Sequence, residues 1–109
     1  MSFLFTPSAP SSSPAHLTVT AVTAQSVSLS WHPVPFEHRN GLVRQYVIRL
    51  NDAGMIIHQT SNTTDATIQN LHPFTVYLVS VSAETVRVGP YTNETRVTLP
   101  EAGMLRAIA

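Results

Sequence analysis

Short runs of alternating apolar and polar residues, broken every few positions by turn residues, organise most of this chain. Ser26-Val27-Ser28-Leu29-Ser30-Trp31 alternates most cleanly and predicts a strand that points Val27, Leu29 and Trp31 to one side. His16 to Thr20 predicts a strand before it. Val43 to Leu50 predicts one after it, with Tyr46, Ile48 and Leu50 on one face and Gln45, Val47 and Arg49 on the other. Asn51-Asp52-Ala53-Gly54 reads as a hairpin turn that returns through Met55 to Gln59. A short strand is expected around Ala66 to Ile68, and a last one from Thr95 to Leu99, stopped by Pro100. Between these two, Leu71-His72-Pro73-Phe74-Thr75 reads as a turn that opens onto a strand. From Tyr77 that strand sets Tyr77, Val79, Val81 and Ala83 on one face and Ser80 and Ser82 on the other.

No segment shows a helical period. Seven short strands separated by turn signals therefore predict an all-β antiparallel sandwich. Tyr77, entering its strand just after a Leu-x-Pro-x-Thr turn, has the form of a tyrosine corner, and Leu71, Trp31 and Tyr46 join it in the expected core. Residues 1–13, rich in Pro and Ser, read as a linker with nothing to pack against, so order is expected to begin near Ala15. Residues 101–109 read as a tail or linker, an introduced sequence, or the start of a next element.

Composition narrows the functions open to the chain. It has 109 residues, 43% of them hydrophobic and 11% charged, enough for one domain with a real core. The formal charge is zero, which lacks the basic footprint of a nucleic-acid binder and the cluster that holds a protein to an anionic membrane. There is no Cys, hence no disulfide, thiolate ligand or thiol nucleophile. No apolar run approaches the roughly 18–20 residues that span a bilayer. Met1 to Phe5 is too short for a signal peptide, whose apolar region runs about 7–15 residues. If the natural protein is secreted, its signal is expected outside this chain, which reads as a piece of something larger.

Candidate chemistry is sparse. The chain has five histidines, the side chain best suited to acid–base work near neutrality, but no nucleophile elbow accompanies them, so no catalytic residue is assigned. His32 and His38 could approach each other with Glu37. A zinc site takes three or four ligands, so the reading is exposed polar residues, with no metal or cofactor expected. Asn62-Thr63-Thr64 and Asn93-Glu94-Thr95 are acceptor sequons for N-glycosylation at Asn62 and Asn93. Phe36-Glu37-His38-Arg39 and Val86-Arg87-Val88 fall in two connections that should project from the same end. Phe36, His38, Arg39 and Arg87 are the candidate binding residues there.

Four landmarks in order resemble the fibronectin type III family, whose sandwich is immunoglobulin-like. They are Pro14-x-x-Leu17; Ser-x-Ser-Leu-Ser-Trp31-x-Pro33; Asn40-Gly41 followed by Tyr46 and Ile48; and Leu71-x-Pro73-x-Thr75-x-Tyr77-x-Val79-x-Val81-x-Ala83. The resemblance spans residues 14–100. It departs in Glu84 to Pro90, where the family commonly has Asn and two glycines and this chain has one Gly. The resemblance implies a non-catalytic, extracellular protein-interaction and spacer module of a cell-surface receptor or adhesion protein, with other proteins and neighbouring domains as partners. It also permits an intracellular structural module of a filament protein, or an accessory domain of a secreted enzyme.

Overall fold

A computed structural model describes residues 7–101, and the readings made above for Met1 to Phe5 and for residues 102–109 lie outside them. Seven strands form: β1 (Ala15–Val22), β2 (Val27–His32), β3 (Gln45–Asp52), β4 (Met55–Ser61), β5 (Asp65–Ile68), β6 (Val76–Glu84) and β7 (Thr95–Thr98). They pair antiparallel into a three-stranded sheet, β1-β2-β5, and a four-stranded sheet, β4-β3-β6-β7. The all-β immunoglobulin-like sandwich is the expected one.

The two inner faces meet in a single core. Val27, Leu29 and Trp31 come from β2, Tyr46, Ile48 and Leu50 from β3, and Tyr77, Val79, Val81 and Ala83 from β6. Trp31 and Tyr46 touch edge to face, with ring centroids 5.5 Å apart. Tyr77 is fully buried, and its hydroxyl accepts a hydrogen bond from the His72 backbone N–H at 2.9 Å. The ring thus fastens the turn before β6 to the strand itself, with Leu71 buried beside it.

Several boundaries and faces differ from the pattern-based expectation. β3 starts at Gln45 and runs on through Asn51 and Asp52, so the tight turn narrows to Ala53 and Gly54. Both have positive φ, 49° and 95°, which makes it a type I′ hairpin whose twist suits the flanking strands. Asn51 Oδ1 accepts from the Gly54 N–H at 3.0 Å and braces it. Val47, Ser80 and Ser82, placed by alternation on the outer face, are buried as well. That face is roofed where Tyr91, arriving from the β7 side of β6, stacks under the Arg49 guanidinium of β3 at 4.0 Å. The stack crosses β6 beside Ser80, which lies opposite Arg49 in the ladder.

The Pro/Ser-rich stretch also differs. Residues 7–14 do not hang free; they lie across the end of the sandwich, with Pro10 and Pro14 buried. Ser8 N–H donates to Asn40 O and Ser11 N–H to His38 O, both at 2.8 Å. Thr85 Oγ1 donates to Ser8 O, and Asn40 Nδ2 to Ala9 O. Pro7 sits over Gly41, and Pro10 lies so close to Gly89 that a Cβ there would stand 3.0 Å from its Cβ, Cδ and O. Composition suggested an extended linker because nothing local in it is apolar enough to nucleate packing. What holds it is a pair of glycine notches supplied by distant loops.

Candidate functional site

The end of the sandwich under this strap gathers the candidate binding residues. β3 begins opposite the end of β6, with Gln45 paired to Glu84, so the β2–β3 and β6–β7 connections leave the sheet side by side, as expected. Gln45 Nε2 donates to Glu84 Oε1 at 2.7 Å, and Arg44 N–H to Glu84 O at 2.8 Å, which locks the two roots together. The β4–β5 turn opens at the same end, because Ser61 pairs with Tyr46 and Trp31 N–H donates to Thr64 O.

Phe36 begins a single turn of 3₁₀ helix, Phe36–His38, set by the fixed backbone of Pro35 before it. Its ring is 81% exposed, and Leu42 at the far side of the loop is 84% exposed. Between them lies a concavity of about 470 Å³ lined by Phe36, Glu37, Arg39, Asn40, Gly41 and Leu42. Arg39 is not a free cation: its Nε donates to Val34 O at 2.8 Å and its guanidinium faces the Phe36 ring at 5.7 Å. Val34, flanked by two prolines, is fully buried beneath it. The neighbouring connection turns tightly through Thr85 N–H to Arg87 O, leaving Val86, Arg87 and Val88 exposed.

The four candidate residues therefore divide. Phe36 and Arg87 are open to a partner. Arg39 is tied into its own loop, and His38 Nδ1 lies 3.2 Å from Ser11 Oγ of the strap. Leu42 had no motif to single it out; only its position beside the Gly41 turn exposes it. Asn62 and Asn93 are both exposed. His32 packs against His16, ring centroids 4.7 Å apart. Among the described residues no three metal-ligating side chains cluster. Burial raises the pKa of Tyr46 above its ordinary value, and the charge of Arg39 opposes the rise.

This geometry offers a contact surface built on two adjoining loops. The sequence matches the family model of the fibronectin type III domain over residues 12–98. The chain belongs to the fibronectin type III family. Among curated proteins it is 34% identical over 82 residues to receptor-type tyrosine-protein phosphatase F of Danio rerio, covering 73% of this chain and 4% of that protein. It is 37% identical over 84 residues to Roundabout homolog 2 of Homo sapiens, covering 72% of this chain and 6% of that one. The solved FN1–FN3 domains of chicken CNTN1 superpose with a TM-score of 0.75 at 26% identity, over 85% of this chain and 33% of theirs. This fibronectin type III domain thus spans a few per cent of the curated relatives it matches, and domains of its fold also occur in titin and twitchin. A domain of this family is a structural module. The phosphatase relatives match it only through their fibronectin type III regions.

Proposed function

We propose that this domain is a non-catalytic, extracellular interaction and spacer module of a larger cell-surface receptor or adhesion protein. The observation that carries the reading is the loop end. Phe36, Leu42, Val86 and Val88 expose apolar surface on two adjoining connections, with Arg87 among them. Aromatic and Arg side chains on loops held by a rigid sandwich have the composition of protein contact surfaces. Relatives named as receptors support the placement of the parent at the cell surface. The exposed sequons at Asn62 and Asn93 support passage through the secretory pathway.

The partners are other proteins and the neighbouring domains of the same parent chain. Neither nucleic acid nor direct insertion into a membrane belongs to this role. An antibody raised against the domain tests it on cells that make the natural protein. Staining of intact cells, with a mass shift on glycosidase treatment that Asn62→Gln and Asn93→Gln together remove, is the expected result. Staining that appears only after permeabilisation, with no glycosidase shift, overturns it in favour of an intracellular filament module.

A further inference from the structure

A sandwich has four edge strands, and native proteins blunt such edges against pairing with another chain. Three are blunted here. β1 is broken by two irregularities in its register, with His16 at φ 56°. β5 is four residues long, carries Asp65, and has its Thr67 carbonyl covered by Gln59 Nε2 at 3.2 Å. β7 is also four residues long, carries the exposed Arg96, and is soon followed by Pro100.

β4 is different. It runs seven residues, Met55-Ile56-Ile57-His58-Gln59-Thr60-Ser61, with no Pro, no acid, no Arg and no bulge in its ladder with β3. The type I′ turn at Ala53-Gly54 closes on Asp52 and Met55 as a hydrogen-bonded pair, which sets the phase of the whole strand. Met55, Ile57, Gln59 and Ser61 therefore direct their backbone groups to β3. Ile56, His58 and Thr60 direct theirs outward, and all three residues are exposed. Met55 and Ile56 also leave 69% and 53% of their surface open.

We propose that β4 is a self-association edge, pairing antiparallel with β4 of a second copy of this chain about a two-fold axis. The occupant follows from the strand itself. An antiparallel two-fold contact sets a strand against its own reverse, so its residues must tolerate their own image. An uncharged strand does so without setting like charges opposite each other. Centring the axis on His58 matches every outward residue: Ile56 meets Thr60 of the other copy, His58 meets His58, and Thr60 meets Ile56. The two four-stranded sheets then form one continuous eight-stranded sheet, and the exposed Met55 and Ile56 side chains lie along the new seam. The association is a property of the domain and stands or falls separately from where the parent protein resides.

Sedimentation equilibrium of the full 109-residue chain, made without glycans in bacteria, tests the proposal between about 10 μM and about 1 mM, the range of weak association. The expected mass rises with concentration from 11.9 kDa towards twice that value. His58→Lys sets two like charges together at the axis and should return the chain to monomer. His58→Asp alone should also be monomeric, while an equimolar mixture of the two variants should dimerise again. Should His58→Lys lower the denaturation midpoint, Thr60→Pro gives the same test, because it removes an outward N–H that β3 does not use. A chain that stays monomeric at the highest concentration overturns the proposal. So does a dimer that His58→Lys or Thr60→Pro leaves intact.

Discussion

Replacing Tyr77 with Phe removes one oxygen from the most enclosed ring of the domain. The ring itself is fully buried between the sheets, and Phe fills the same space, so little cavity is created. What is lost is the hydrogen bond from His72 N–H, 2.9 Å long and partly shielded. A neutral bond of this kind contributes about 0.5–1.5 kcal/mol net, and leaving a buried donor unpaired costs about 1–3 kcal/mol. His72 itself is exposed, so water can approach its N–H and the lower range governs. The expected loss is about 1–1.5 kcal/mol, which for a domain of this size lowers Tm by about 4–8 °C per kcal/mol. Urea unfolding followed by Trp31 fluorescence measures it, with the slope m unchanged because the unfolding area is unchanged. A loss below about 0.3 kcal/mol would show that the hydroxyl fastens nothing, and one above about 3 kcal/mol would show that the ring packing had been disturbed.

Trp31→Ala should cost about 3–5 kcal/mol, and a loss under about 1 kcal/mol would remove Trp31 from the core. Its Nε1 is buried without a partner among the described residues, so Trp31→Phe, which deletes that donor, should cost clearly less, both variants being read by urea unfolding followed by far-UV circular dichroism because Trp31 is the one Trp of the chain. Ser82→Ala should leave the unfolding free energy from urea denaturation unchanged or raise it by up to about 1 kcal/mol, because its buried hydroxyl has no partner among the described residues. Tyr46 yields a pH dependence. Burial raises its folded pKa above the ordinary value near 10, so the unfolded phenol ionises first and stability is lost as pH climbs through the folded value. Unfolding midpoints at about pH 9 and pH 11 should differ less in Tyr46→Phe than in the parent. Gly89→Ala should lift the strap off the β6–β7 loop at a cost of about 1–3 kcal/mol, read as lost amide-exchange protection at Ser8 and Ser11.

The parts of the fold that were legible are those where local alternation and burial agree. β2 and the inner face of β6 show this, and the Tyr77 corner follows from a turn and a strand adjacent in sequence. Alternation failed on the outer face at Val47, Ser80 and Ser82. A strand pattern reports which residues share a side, and only a distant roof such as the stack of Arg49 on Tyr91 decides whether that side meets water. Val34 was hidden in the same way: prolines on both sides mark a loop, yet the kinked loop drives that one side chain into the core. At the candidate site, exposure of Phe36 and Arg87 was readable from loop position. The tether from Arg39 to Val34 O was not, since it depends on how the 3₁₀ turn aims the side chain.

The strap changes what the loop end is. Its hydrogen bonds to Asn40 and His38 on one loop and to Thr85 on the other join two connections that the sheet alone holds only at their roots. Loops left to themselves lose conformational freedom when a partner orders them, at about 0.5–1.5 kcal/mol for each immobilised side chain. Here much of that ordering is already made within the domain, through Pro7 on Gly41 and Pro10 beside Gly89. The β6–β7 loop, with a single Gly where the family commonly has two, fits the same account: its one notch is occupied by Pro10. The apolar surface of Phe36 and Leu42 is thus presented from a braced support, and a partner would meet a surface shaped in advance by a segment some thirty residues away in sequence.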